Sequence, residues 1–284
     1  MTQETILTFV GANSSDVAIK NAIKMAEDAK AHLSIVVTGA APALHSYGYG
    51  TAYGGYVNVD QWTQETKELS DALDQCSERI KELVQASDIS ADVQVEYHEL
   101  SMMRDPITRH ANVADRAVLI EGHGLAGDLE DEITSAIIFD SPIALITGHG
   151  SHMSAADPKH IFIAWDSTKH ASKAVHCALP ILNGADQITI AIFDPVKQEA
   201  ADGEEPGADL ATWLSLHGCN VTVEQHPSGG VEIATCILGR AVEIGSDLIV
   251  MGGYGHMKLK QQIFGGTTQA MLEQNQLPIM IAHK

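Results

Sequence analysis

The chain has 284 residues, 45% of them hydrophobic, and its 17 basic and 37 acidic side chains leave a formal charge of -20. Length and hydrophobic content suffice for two domains with a core in each, while the charge argues against a nucleic-acid or anionic-membrane surface, which needs clustered Lys and Arg. Cys76, Cys177, Cys219 and Cys236 lie far apart with no CxxC pair, so neither a disulfide framework nor a zinc site is suggested and a reducing compartment fits.

The opening MTQETILTFV has no basic n-region or long apolar h-region, and no apolar run reaches about 18 residues. A soluble, cytoplasmic protein is expected. Ile6 to Val10 reads as a strand, followed by the turn GANSSD and a helix from about Asp16 to Ala31. In that helix Ala18, Ala22, Ala26 and Ala29 recur at helical spacing and form a small-residue face suited to close packing on a sheet. Leu33 to Val37 is a second strand. The Gly- and Tyr-rich stretch that follows, centred on residues 47–56, has no period and reads as a loop. From Asp60 to Ser87 runs a long helix with Trp62, Leu69, Leu73, Cys76, Ile80 and Leu83 on one face, a stripe that reads as core. Strand Val93 to Tyr97, a helix from about Pro106 to Asp115, strand Ala117 to Ile120, a helix near Ile133 to Phe139 and strand Ile143 to Thr147 complete the first half.

Gly148 to His160 has turn residues without periodicity and reads as a linker. The order then starts again. IFIAWDSTKHASKAVHCALPIL repeats strand, turn and alanine-spaced helix; ITIAIFDPV, VTVEQH, GVEIATCILGRAVEIG and DLIVMGG repeat the second strand, third strand, helix and fourth strand. A period of roughly 140 residues marks a duplicated domain rather than a solenoid. Alternation of strands and helices implies parallel sheets with crossover helices. The apolar strands closing the halves, Ile143 to Thr147 and Ile279 to Ala282, are expected to be edge strands that pair or lie side by side.

The most informative stretch is Asp247 to Lys284. Leu248 to Met251 is a buried strand that stops at Gly252 and Gly253; Gly255 follows, then Gly265, Gly266, Thr267 and Thr268 before a helical run and the last strand. A glycine-rich strand-to-helix turn often does no more than reverse the chain. Its backbone N–H groups, the threonine hydroxyls and the positive end of the following helix nevertheless suit an anion. The spacing Gly252-x2-Gly255-x9-Gly265, between DLIVMG and LPIMI, resembles the nucleotide loop of the universal stress protein family. In that family's ATP-binding members a Ser or Thr follows the last glycine directly, whereas here Gly266 intervenes before Thr267 and Thr268. The halves align at Pro142 with Pro278 and at IEGHG with MGGYG, so the resemblance covers nearly the whole chain as a tandem member.

The resemblance implies two Rossmann-like, adenine nucleotide alpha hydrolase-like α/β domains, residues 1–148 and 158–284, each a five-stranded parallel sheet flanked by helices. It implies that Ala164, Trp165 and Asp166 hold adenine and ribose, that Ile192 at the end of the second strand lines the adenine site, and that Met251, Gly252, Gly255, Gly265, Gly266, Thr267 and Thr268 hold the rest of the nucleotide. A carboxylate at Asp166 suits ribose hydroxyls, although an N-cap of the following helix is an equally good reason for it. The ligand implied is ATP or another adenine nucleotide, with or without Mg. An unidentified protein partner and a homodimer remain open.

In the first half the corresponding positions differ. Asn13 stands near the Asp166 position, Glu121 aligns with the first loop glycine, and 17 residues separate Gly124 from Pro142 where 22 separate Gly255 from Pro278. Asp128, Glu130, Asp131 and Glu132 replace the closing GGTT, so one nucleotide, in the second half, is expected. Fourteen histidines raise metal binding, but no pair has HxxxH or HExxH spacing and His149 with His152 falls in the linker; no metal site is expected. GxSxG, GxxxxGK and SGGxDS are absent, and nothing positions a nucleophile or base. The reading is a cytoplasmic universal stress protein that binds adenine nucleotide in its second domain. The alternatives are a nucleotide-free scaffold and a slow adenine-nucleotide hydrolase.

Overall fold

In the computed structural model residues 4–44, 48–49, 56–148, 158–195, 204–253 and 266–283 are described. The chain divides into two compact units, Met1–Val118 with Gly122–Ser141, and Leu119–Glu121 with Pro142–Lys284.

The first unit opens with β1 (Thr5–Val10), whose buried run suits a strand covered on both faces. Ser15 then caps α1 (Asp16–Ala29), its side chain accepting from the Ala18 N–H, and Lys30 ends the helix in the left-handed region at φ 52. Ala18, Ala22 and Ala26 are buried and let α1 sit close to the sheet. β2 (His32–Ala41) is longer than expected, and the Gly/Tyr stretch holds a two-stranded antiparallel ribbon, β3 (Gly48–Tyr49) with β4 (Tyr56–Val57); residues 45–47 and 50–55 lie outside the described residues. α2 (Val59–Gln85) buries Leu73, Cys76, Ser77 and Ile80, whereas Trp62 near its start is half-buried and donates to the Pro42 carbonyl at 2.7 Å. β5 (Ala91–Glu99), α3 (Arg104–Ala111), β6 (Arg116–Leu119) and α4 (Gly127–Asp140) follow. α4 begins six residues before the expected Ile133 because its acidic first turns suit a helix N-terminus. β1, β2, β5 and β6 pair in parallel in the order β6-β1-β2-β5.

The second unit begins with β7 (Ala144–Thr147) and continues through β8 (His160–Ala164), α5 (Lys169–Leu182), β9 (Gln187–Phe193), α6 (Ala208–Leu216), β10 (Val221–His226), α7 (Ile233–Glu243), β11 (Leu248–Gly252), α8 (Gly266–Glu273) and β12 (Ile279–Ala282). Helix α6 was not anticipated from the sequence. Five strands run parallel in the order β10-β9-β8-β11-β12, and β7 adds antiparallel to β12 with Thr147 opposite Ile279 and Leu145 opposite Ile281. The closing strands of the two sequence halves thus pair, as expected of two apolar edges.

Both units share an aspartate anchor at the start of the fourth strand. Asp115 donates its N–H to the Thr5 carbonyl and accepts the Thr5 N–H on Oδ2 at 2.7 Å; Asp247 donates to the His160 carbonyl and accepts the N–H groups of Lys159 and His160 on Oδ2 at 2.8 Å. Counting from the anchors places Ile120 level with Gly252 and Glu121 level with Gly253. The sequence alignment of Glu121 with Gly252 is therefore one residue out. Among the described residues no helix is long and apolar enough to cross a membrane, and no three His, Cys, Asp or Glu gather as a metal cage.

Candidate functional site

In the second unit the chain runs from β8 outward to β9 and β10, then returns to the other side of β8 as β11 and β12. Such a reversal opens a crevice beyond the carboxyl ends of the central strands. A cavity of about 330 Å3 occupies it. Ala164, Trp165 and Asp166 line it from the end of β8 and its turn, Met251 and Gly252 from the end of β11, and Gly266, Thr267 and Thr268 from the start of α8. Phe193, at the end of β9, and Ile233 and Ile237 of α7 complete the lining.

Every described residue implicated from the sequence except Ile192 meets at this cavity. Gly255 and Gly265 lie outside the described residues. Ile192 is buried, but a Cβ built on Gly207 would lie 2.7 Å from its Cδ1 and 3.1 Å from Val223, so its side chain packs under the start of α6. Side chains alternate across a strand, and the next residue, Phe193, faces the cavity instead. Sequence reasoning missed Phe193, Ile233 and Ile237. The apolar i, i+4 pair on α7 was the available signal for the last two.

The turn after β8 is locally determined. Asp166 Oδ1 accepts from the Thr168 N–H at 3.1 Å and from the Thr168 hydroxyl at 2.7 Å, and Thr168 Oγ1 accepts from the Ala171 N–H at 3.3 Å. Thr168, not Asp166, caps α5; Asp166 braces the cap from an exposed position. Between them Ser167 adopts φ 58, a left-handed conformation rare for a residue with a side chain. Gly252 has a structural reason of its own. A Cβ there would lie 2.5 Å from the Ala171 nitrogen and 2.7 Å from the His170 carbonyl carbon, so β11 reaches the first turn of α5 only as glycine. The next residue is held at both ends: Gly253 donates its N–H to the Ala282 carbonyl at 2.8 Å and accepts from His283 Nδ1 at 2.7 Å.

Behind Phe193 stands a charged frame. Arg240 donates through Nε and a terminal nitrogen to the two carboxylate oxygens of Glu224, each at 2.8 Å, and Glu224 Oε2 lies 3.0 Å from His226 Nε2. The guanidinium fork and the imidazole hold the Glu224 carboxyl down at about 2. The His226 ring lies against Phe193 with centroids 5.6 Å apart and planes 29° from parallel.

The same region of the first unit is closed. Gly11, just past β1, donates to the His123 carbonyl at 2.7 Å, and Ser15 donates to the Gly122 carbonyl at 3.0 Å. The contact is so close that a Cβ on Gly11 would lie 2.0 Å from the Gly124 oxygen, and one on Gly124 would lie 2.4 Å from the Ser14 nitrogen. Arg79 of α2 fixes the turn from outside through the Ser14 carbonyl at 2.7 Å and hydroxyl at 3.0 Å. His110 of α3 reaches Glu96 of β5 at 2.9 Å. The acidic residues Glu130 and Glu132 pair with His123 at 3.4 Å and Arg104 at 2.9 Å. Both stand in the first turns of α4 with side-chain partners.

No family model and no curated protein matches the sequence. Solved structures do match in fold. A universal stress protein from Archaeoglobus fulgidus superposes with a TM-score of 0.65 at 13% identity over 98% of both chains. A Pseudomonas aeruginosa protein assigned to the universal stress proteins gives 0.58 at 13% identity, over 99% of this chain and 94% of its own. A functionally unknown protein of the same organism gives 0.56 at 13% identity, over 99% and 93%. Over its full length the chain has the tandem fold of universal stress proteins.

Proposed function

We propose that the chain is a tandem universal stress protein whose second unit binds ATP or another adenine nucleotide, with or without Mg, as a ligand in a cytoplasmic stress or signalling response. The observation that carries this reading is the cavity at the strand-order reversal, where Trp165 and Asp166 face the start of α8 and the end of β11 across about 330 Å3. Six apolar side chains give a base and sugar a dry wall, while Asp166 Oδ2 is left over from the Thr168 cap to accept a hydroxyl proton. Gly266, Thr267 and Thr268 open an eight-residue helix whose first N–H groups suit a phosphate. Nothing at the cavity pairs a nucleophile with a base, so the nucleotide is read as a ligand rather than a substrate.

Freshly purified protein, denatured and analysed for released nucleotide, is expected to yield an adenine nucleotide, and ATP added to stripped protein is expected to raise its melting temperature. Absence of both effects would favour a nucleotide-free interaction scaffold. The feature on the side of that second reading is Gly266, which supplies no hydroxyl where ATP-binding relatives carry Ser or Thr.

A further inference from the structure

The geometry points to a second chemical site, in the first unit, where Ser90, His32 and Asp92 form a nucleophile, a base and an orienting acid that cleave small uncharged esters through an acyl group carried on Ser90. The site shares no residue with the cavity and is independent of the nucleotide reading.

His32 opens β2, Ser90 immediately precedes β5 and Asp92 is the second residue of β5, so the parallel pairing of these strands gathers the three at neighbouring strand starts. Ser90 and Asp92 are 58 and 60 positions from His32, and no sequence motif marks them. His32 Nε2 lies 2.8 Å from Asp92 Oδ1, and Nδ1 lies 2.7 Å from Ser90 Oγ. Both distances fall in the range a general base needs, about 2.6 to 3.2 Å. An ionised carboxylate only accepts, so Nε2 carries the ring hydrogen, Nδ1 keeps its lone pair, and the Ser90 hydroxyl donates to it. The hydroxyl is thus aimed at an atom able to take its proton. Asp92 is fixed in turn through Oδ2, which accepts from Gln94 Nε2 at 2.9 Å and from the Ser34 hydroxyl at 3.4 Å. The backbone is tied as well: His32 donates its N–H to the Glu4 carbonyl at 2.7 Å, and Leu33 donates to the Ser90 carbonyl at 2.9 Å. With Leu33 bonded in that direction, the ladder turns the Ala91 N–H away from β2, and the N–H after a nucleophile is a suitable donor to the oxyanion formed beside it. Ser90 is exposed and the His32 side chain is 29% exposed, so an ester carbonyl reaches Oγ from solvent. Asp92, and Asp88 two residues before Ser90, disfavour an anionic ester. In the reaction Ser90 Oγ attacks the carbonyl carbon while its proton passes to His32 Nδ1; the ester C–O bond breaks and the alcohol leaves with that proton. Water then attacks the acyl-serine, and His32 takes a proton from it and returns that proton to Ser90 Oγ as the acid departs.

The test treats the full chain with a fluorophosphonate, which forms an O–P bond at an activated serine with loss of fluoride, and separately with p-nitrophenyl acetate. Peptide mass mapping is expected to place the phosphonate on Ser90, and Ser90→Ala, which removes only an exposed hydroxyl, is expected to abolish turnover of the acetate. His32→Gln is expected to slow both reactions about 100-fold, the scale of a positioned general base. Asp92→Asn is expected to lose most of the rate and Asp92→Glu to recover it; Asn and Glu both keep an acceptor for Nε2, so a purely structural Asp92 would not separate them. Melting temperatures taken alongside guard against a folding defect. Ser90 labelled no faster in the native chain than in urea, acetate turnover retained in Ser90→Ala, or labelling unchanged in His32→Gln overturns the assignment, and each of these results leaves the nucleotide reading untouched.

Discussion

Asp166 holds a helix cap and faces the cavity, and the two roles separate by chemistry. Its Oδ1 accepts two hydrogen bonds from Thr168, which an amide oxygen accepts equally well in the same Asx geometry. Asp166→Asn should therefore leave the melting temperature near that of the parent and weaken ATP by about 1 to 3 kcal/mol, the range for losing a charged acceptor to a buried polar partner. Calorimetric titration beside thermal unfolding checks it; unchanged affinity would reduce Asp166 to a brace for the cap. Gly252 separates in the opposite sense. With a Cβ only 2.5 Å from the Ala171 nitrogen, Gly252→Ala forces β11 away from α5, an overpacking expected to cost about 1 to 3 kcal/mol of stability before any ligand is added. A denaturant curve of the ligand-free variant that overlays the parent's would contradict this packing account.

At the scale of elements, the tie between β10 and α7 is electrostatic and its pH dependence has a definite sign. Glu224 ionises at about 2 in the folded chain against an ordinary 4.5, because Arg240 and then His226 bond its charged form. A lowered acid gives stability that is complete above its unfolded value and fades as pH falls through the folded one. Glu224→Gln should therefore be less stable than the parent at neutral pH, by about 1 to 3 kcal/mol for a bidentate charged pair, and the two should converge as pH falls from 4.5 towards 2. Urea unfolding at a series of pH values reads this out, and a constant gap down to the lowest pH would rule out the pair as its source. Such ties were not legible in the sequence, where Glu224 and Arg240 are separated by 16 positions on different elements. What was legible is local or periodic: the alanine face of α1, the repeated strand-turn-helix order, and the glycine and threonine run before β12. Ile192 at the end of β9 packs near Gly207 while Phe193, the next residue, lines the cavity, because the end of a strand can be found from sequence without knowing which face each side chain takes. Helix α6 was missed although Leu210, Trp213 and Leu214 stand at helical spacing, because its nine residues are too few for the period to stand out.

For the molecule as a whole, the two halves repeat one topology without repeating one site. The expectation of a single nucleotide per chain began from missing glycines and an acidic run in the first half. The acidic run has another role in the structure. The acidic residues belong to the first turns of α4, and Glu130 and Glu132 are paired there. Beside them Gly11 and Ser15 donate directly to the carbonyls of His123 and Gly122. Opening that contact would break two backbone hydrogen bonds, one from buried Gly11 and one between the exposed residues Ser15 and Gly122, each about 1 kcal/mol net, and would detach the turn from Arg79. A nucleotide entering there must offset those losses before gaining anything, whereas the cavity of the second unit is already open. Native mass spectrometry at saturating ATP should therefore show one nucleotide per chain. A second equivalent ATP on the parent chain would show that the closed turn opens at low cost.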